Sequence, residues 1–209
     1  MAWCADRATD ADEYLASLRS PPIHEVLGED LARAEAITRT SPAWMGKQGD
    51  VDLLFRLGRH LDATRTVETG VSLGWSALAL LGSNDHIRVT SVDFPYPQAD
   101  SERHVGACVP SRFRDRWTLV RGPDRTWLRR VLRGGPIDLA HYDSDKHYDG
   151  SMYAYRAIWN ALRPGGVLVT DVAANNLAFA DFVAAEGLSP VVLSPHEQHT
   201  YVALVVHNP

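Results

Sequence analysis

From residue 65 onward the chain repeats one pattern, a short strand-like run, a turn and then a helical segment, and this alternation limits the folds open to it more than any other feature. Candidate strands are 65–69 (RTVET), 87–93 (IRVTSVD), 117–120 (WTLV), 137–142 (IDLAHY) and 166–171 (GVLVTD), with helical segments between them at 75–81, 124–132 and 151–162. Strands alternating with helices at this spacing imply right-handed crossovers, so the pattern predicts a doubly wound α/β fold, a mostly parallel sheet with helices on both faces. Two last runs, 189–194 and 200–206, are separated only by Pro195-His196-Glu197-Gln198, which is short enough for an antiparallel hairpin. Seven strands are therefore expected.

Residues 10–62 read as helices separated by turns. Ser20-Pro21-Pro22 breaks the first, Ile23, Val26, Leu27, Leu31 and Ala34 recur at helical spacing in the second, and Val51, Leu53, Leu54, Leu57 and Leu61 do so in a third that follows the break at Ser41-Pro42. At 209 residues the chain is long enough for one well-buried core, so a single domain is expected, with 1–62 as a helical extension or lid and 63–209 as the α/β core. The extension can cover a sheet edge, close over a site, or pair two chains as a homodimer.

Apolar residues make up 45% and charged residues 22%, ordinary values for a folded, soluble domain rather than a disordered or fibrous one. The net charge of −5, with the arginines of 112–133 interrupted by Asp115 and Asp124, gives no basic footprint for nucleic acid. Two cysteines, Cys4 and Cys108, cannot build a disulfide scaffold, and no paired Cys/His spacing suggests structural zinc. Neither a signal-peptide core nor an apolar run of roughly 18 residues is present, so a cytoplasmic protein with no membrane partner is expected.

Three segments carry chemistry. In V-E-T-G-V-S-L-G-W-S, Val67 to Ser76, an acid closes a strand and glycines at 70 and 74 precede a helix, which lets the chain turn sharply and offers helix N-terminal amides to an anion. Asp93 ends the next strand, 23 residues after Gly70, where a carboxylate can accept both hydroxyls of a ribose. The run H-Y-D-S-D-K-H-Y, His141 to Tyr148, lies at the carboxyl end of the fourth strand, the edge where open α/β sheets bind ligands, and Asp171 ends the fifth strand at the same edge. A nicotinamide-binding protein would share Asp93 but is expected to carry G-x-G-x-x-G, which is missing here. Trp44, Trp75, Tyr148 and Tyr153 can frame an aromatic substrate or simply pack, and His196 and His199 read as hairpin surface residues.

Taken in order, V-E-x-G-x-x-x-G-x-S, a strand-end acid, D-x-D-K and P-G-G-x-x-x-x-D resemble the catechol and caffeoyl-CoA O-methyltransferases of the class I S-adenosylmethionine-dependent type, over about residues 45–206. The resemblance implies a seven-stranded methyltransferase variant of the Rossmann fold, S-adenosylmethionine as cofactor, a small-molecule hydroxyl as acceptor and, in most such enzymes, a divalent cation such as Mg2+. Carried over by position, Glu68 and Gly70 would line the methionine and ribose part of the cofactor, and Ser72 and Ser76 would lie near its amino acid carboxylate, with Gly74 in the same cofactor-binding turn. Asp93 would hold its ribose hydroxyls, and the Asp124 region would meet its adenine edge. Asp143 would be the first metal ligand and also face the sulfonium, and Lys146 would be the general base, with His147 as a further catalytic candidate. Where the family has two adjacent oxygen ligands this chain has Asp171-Val172, so the implied metal set is Asp143 and Asp171, with Asn175 or Asn176 as the replacement. Transfer to nitrogen or carbon, and a cofactor-binding subunit without catalysis, stay open at this point.

Overall fold

The computed structural model describes residues 2–42, 45, 48–94, 101–194 and 201–208. The N-terminal part comprises α1 (Ala2–Ala5), β1 (Ala8–Thr9), α2 (Ala11–Ser17), α3 (Ile23–Thr40) and α4 (Val51–His60). There follow β2 (Arg65–Thr69), α5 (Trp75–Gly82), β3 (Arg88–Asp93), two 3-10 turns at Ser101–His104 and Ser111–Arg116, β4 (Trp117–Arg121), α6 (Asp124–Leu132), β5 (Ile137–Tyr142) and α7 (Tyr148–Trp159). The chain closes with β6 (Leu162–Thr170), α8 (Ala178–Ala185), β7 (Val191–Leu193) and β8 (Val202–Val206).

One sheet runs in the order β1-β7-β8-β6-β5-β2-β3-β4. β8 is antiparallel to β6 and to β7, and every other pair is parallel. The order reverses at β2, with β3 and β4 to one side and β5 and β6 to the other, and such a switch point is where a crevice opens above the strand ends. The expected α/β sheet is present with one strand more than the seven expected. The eighth, β1, pairs Ala8 with Val192 and Thr9 with Leu193 at the outer edge, and two residues are too few to leave any period in the sequence. β6 also begins before Pro164-Gly165-Gly166, the pairing with β5 shifting register between Ile137 and Leu139.

Two cores form, one on each face of the sheet. α5 is apolar on all sides, with Trp75, Ala77, Leu78, Ala79, Leu80 and Leu81 buried, because it lies between the sheet and the N-terminal helices. α4 buries Val51, Leu53, Leu54, Phe55 and Leu57 in the same core, and α3 adds Ile23, Leu27, Leu31 and Ala34. α2 is held at its start by Asp10, whose carboxylate accepts the amides of Asp12 at 2.8 Å and Glu13 at 3.3 Å. The opposite face packs Leu128 and Leu132 of α6, Tyr155 and Ile158 of α7, and Phe179 and Phe182 of α8 against Val67, Ala140 and Leu168. Among the described residues no helix is long and apolar enough to cross a membrane.

Candidate active site

Register explains which side chains meet at the carboxyl edge. Ser91 of β3 stands beside Glu68 of β2, Glu68 beside His141 of β5, and His141 beside Val169 of β6. Neighbours at one level of a parallel sheet share a face, so these four form a row beneath the α3–α5 layer. Within the row the Ser91 hydroxyl donates to Glu68 Oε2 at 2.6 Å, and His141 Nδ1 lies 3.7 Å from Glu68 Oε1. His141 Nε2 faces Asp171 Oδ1 at 3.3 Å. At these separations both histidine contacts are electrostatic, and the buried Glu68 Oε1, His141 Nδ1 and His141 Nε2 have no hydrogen-bond partner. Burial pulls the His141 pKa down, but the facing Asp171 and Glu68 outweigh it and hold it well above the ordinary histidine value. Only the cross-strand register reveals His141 as a buried side chain set between Glu68 and Asp171.

The turn after β2 is built for close approach. Gly70, Ser72 and Gly74 all have positive φ, at 81°, 49° and 90°. A side chain on Gly70 would place its Cβ 2.0 Å from the Asp143 carbonyl oxygen, so this glycine lets the β2 and β5 loops touch. The backbone of the loop that follows β5 fills that space. At Gly74 a Cβ would stand 2.9 Å from the Gly106 Cα, while the Ser72 carbonyl accepts the Gly106 amide at 2.9 Å. The Ser72 hydroxyl donates to the Met45 carbonyl, and Ser76 lies half-buried in the first turn of α5. Gly49, just ahead of α4, lies against the carboxylate of Asp171 at the same edge.

Asp93 is buried at the end of β3, with Oδ1 accepting the Val71 amide at 3.0 Å and Oδ2 paired with Arg121, its register partner on β4. Arg121 also bonds Glu102, its Nε lying 2.9 Å from Oε2. Burial raises the Asp93 pKa, with the Val71 amide and Arg121 opposing. A carboxylate has about four lone-pair sites, so both oxygens keep acceptor capacity.

Asp124, the first residue of α6, accepts the Ser144 hydroxyl, which lies 3.0 Å from that of Thr69. Burial pushes the Asp124 carboxyl up to about 6. A folded value raised above the ordinary carboxylate value means that ionisation costs stability as pH rises from about 4 to about 6. Asp124→Asn should therefore gain thermal stability relative to the wild type across that interval and hold the gain above it. A stability difference independent of pH would place Asp124 in a solvated setting.

Lys146 Nζ approaches Asp143 Oδ1 at 3.3 Å, and the pair is partly exposed. Burial raises the Asp143 pKa, the like charge of Asp171 raises it further, and Lys146 and His141 oppose. The structure thus brings Asp143, Lys146 and Asp171 together. His147 does not join them: its ring is 93% exposed and its Nδ1 lies 2.9 Å from Asp145 Oδ1, at the N-terminal end of α7. Tyr148 is exposed and donates to Asp181, Tyr153 lies on α7, and Trp75 is buried with its indole N–H on Thr38. Trp44, His196 and His199 fall outside the described residues.

Of the metal set implied by the resemblance, Asp143 and Asp171 meet at this edge. Val172 is buried in the core on the α6–α8 side and Asn175 is exposed. The Asn176 amide is committed, donating to the Lys146 carbonyl at 2.9 Å and accepting the Ala178 amide at 2.7 Å. Asp143 and Asp171 each face a basic group of the chain itself, Lys146 and His141. No group of three His, Cys, Asp or Glu suited to a metal occurs among the described residues.

The family model described as a methyltransferase domain matches residues 67–171, the stretch from the start of the glycine turn to Asp171. The chain belongs to this methyltransferase family. The resemblance to the class I S-adenosylmethionine-dependent methyltransferases is thus one of family as well as of motif. Solved structures share the fold. The O-methyltransferase TomG from Streptomyces achromogenes, in complex with SAM, is 17% identical with a TM-score of 0.68 over 87% of this chain and 90% of its own. An O-methyltransferase from Bacillus cereus in complex with SAH is 19% identical, with a TM-score of 0.65 over 97% and 99%. Cofactor-bound Rv0187 from MTB is 20% identical, with a TM-score of 0.67 over 88% and 91%. No curated protein matches the chain.

Proposed function

We propose that this methyltransferase moves the methyl group of S-adenosylmethionine to a hydroxyl of a small molecule, at the edge where Glu68, Asp143, Lys146 and Asp171 converge. The observation that carries this reading is the Asp143–Lys146 pair, a carboxylate and an ammonium 3.3 Å apart at the mouth of the crevice. The residues present fit the cofactor. Three left-handed residues at 70, 72 and 74 turn the chain ahead of α5, and the buried Glu68 Oε1 has no hydrogen-bond partner of its own. Glu68 and Gly70 would line the methionine and ribose part, Ser72 and Ser76 would lie near the amino acid carboxylate with Gly74 in the same turn, Asp93 would hold the ribose hydroxyls and the Asp124 region would meet the adenine edge. When bound, the cofactor supplies an electrophilic methyl group on a sulfonium.

The chain's own residues then have two tasks, aligning the acceptor oxygen and removing its proton. The resemblance implies Lys146 as the general base, but its pairing with Asp143 favours the reverse roles: Asp143, its carboxyl pushed up by burial and by Asp171, takes the proton, and Lys146 stabilises the oxyanion. No step runs through a divalent cation, because the donor set for one is incomplete. The O-methyltransferase neighbours TomG and the Bacillus cereus enzyme support oxygen as the acceptor atom.

The test is transfer from deuteriomethyl S-adenosylmethionine to a panel of phenolic, catecholic and aliphatic hydroxyls and their amine counterparts, with products read by mass spectrometry. Label on oxygen is expected, at a rate unchanged by exhaustive chelation. Lys146→Met should lower kcat by about 10²- to 10⁴-fold, with affinity for S-adenosylhomocysteine close to wild type. Label on nitrogen or carbon, or a wild-type rate in Lys146→Met, would overturn the reading.

A further inference from the structure

Away from the crevice, α6 and α7 enclose an open groove of about 800 Å³. Arg125, Arg129 and Arg133 line one wall, and Arg156 the other. The three arginines of the first wall are four residues apart, so they recur about every 6 Å on one face, over a run of about 12 Å. The two ends of this groove differ in setting. Arg125 and Asp149 sit beside the 143–147 loop, and Arg133 lies past the far end of α6.

Several arginines elsewhere in the chain sit in ion pairs with acids, whereas this groove sets four arginines against a single wall acid, Asp149. Arg56 pairs with Asp52, Arg112 with Asp30, Arg121 with Asp93 and Glu102, and Arg163 with Asp138. No ion pair involves Arg125, Arg129, Arg133 or Arg156 among the described residues, and Asp149 is the one acid on the groove wall. Four guanidiniums side by side repel one another, and the chain as a whole is acidic, at −5. A compensating anion is the simplest resolution of that local excess.

Two of the four guanidiniums are also held in place. Arg125 and Arg129 both lie over the Tyr153 ring, at 5.2 and 5.4 Å from its centroid. Arg125 donates to the Asp149 carbonyl at 3.2 Å, and its own carbonyl accepts the Tyr153 hydroxyl at 3.3 Å. Side chains fixed in this way lose less entropy on binding than free surface arginines. Guanidinium forks facing one another across a groove suit a tetrahedral phosphoryl group, which accepts from several directions. Leu132, Met152 and Ala157 add an apolar lining between the walls. The volume is that of a small-molecule site, and a run of about 12 Å is too short to track a nucleic-acid duplex.

We propose that this groove binds a small ligand carrying two or more linked phosphoryl groups, at a site separate from the methyl-transfer crevice. The probe is inorganic tripolyphosphate, titrated calorimetrically into the full chain at physiological ionic strength, with orthophosphate alongside. One tripolyphosphate per chain is expected, at least tenfold tighter than orthophosphate because it bridges both walls. Arg129→Ala/Arg156→Ala should weaken it at least tenfold, and Tyr153→Leu should weaken it with all four charges retained. Both variants alter exposed or half-exposed positions, and their thermal midpoints report that the fold is intact. Three results would each overturn the proposal: no binding of tripolyphosphate, equal affinity for orthophosphate, or undiminished binding in Arg129→Ala/Arg156→Ala. A polyglutamate peptide that binds where tripolyphosphate does not would also overturn it, making the groove a docking surface for an acidic protein segment.

Discussion

Gly70→Val is expected to lose cofactor binding and a large part of the chain's stability together, because the new side chain meets protein before it meets ligand. Its Cβ would lie 2.0 Å from the Asp143 carbonyl oxygen and 2.7 Å from the carbonyl carbon, and both atoms belong to backbone. Moving them displaces the loop that carries Asp143 and Lys146. The backbone at 70 also has φ of +81°, a region that β-branched residues essentially never adopt. Strain and displacement together should cost on the order of 3 kcal/mol or more. For a chain of this length that is a fall in thermal midpoint of about 6–12 °C. Scanning calorimetry with and without S-adenosylhomocysteine checks both parts. A Gly70→Val protein as stable as wild type would show that the two loops do not touch.

His141→Leu should be the other severe substitution. It removes the buried imidazole facing both Glu68 and Asp171 and leaves the Glu68 side chain in the core with Ser91 as its remaining partner. Breaking a buried charge arrangement by deleting one member costs about 3–5 kcal/mol, since the survivors stay desolvated. Neutralising a survivor should recover part of the loss, so Glu68→Gln in the His141→Leu background is expected to be more stable than His141→Leu alone. The pH dependence has a definite sign. The folded pKa of His141 lies above its unfolded value, so its contribution is full below about 6.5 and disappears as pH rises through the folded value. Wild-type stability in His141→Leu, or a double variant less stable than the single, would show that the row carries no charge coupling.

Much of the architecture was legible because it rests on local periodicity. β2 and β5 match the sequence reading residue for residue, and β3, β4 and α6 do so to within one residue, since runs of β-branched and apolar residues bounded by turns mark the strands and apolar residues at helical spacing mark the helix. β1 was not legible, because a two-residue edge strand exists only through its pairing with β7. α8 leaves little signal either: AFADFVAA is short and apolar almost throughout, so it shows no helical period.

The site divides in the same way. Glu68, Gly70, Asp93, Asp143, Lys146 and Asp171 all lie at one sheet edge, as strand-end positions must. What each touches depends on cross-strand register, which one sequence does not display. Arg121 reaches Asp93 because β4 sets them side by side, and His141 lies between two acids because β2 and β6 flank β5. The basic groove was hidden for a related reason. Along the chain Asp124 and Asp115 break up the arginines of 112–133, but α6 turns 125, 129 and 133 to one face and α7 supplies Arg156 opposite.

The most direct test of the central claim is calorimetric titration of S-adenosylhomocysteine into the wild type and Asp93→Asn. If the crevice above β2 and β3 holds the cofactor by its ribose, one molecule binds per chain. Loss of a charge-assisted acceptor should then weaken it by about ten- to a hundredfold in a variant that remains folded by circular dichroism. Equal affinity in the two proteins would contradict the account and place the cofactor elsewhere.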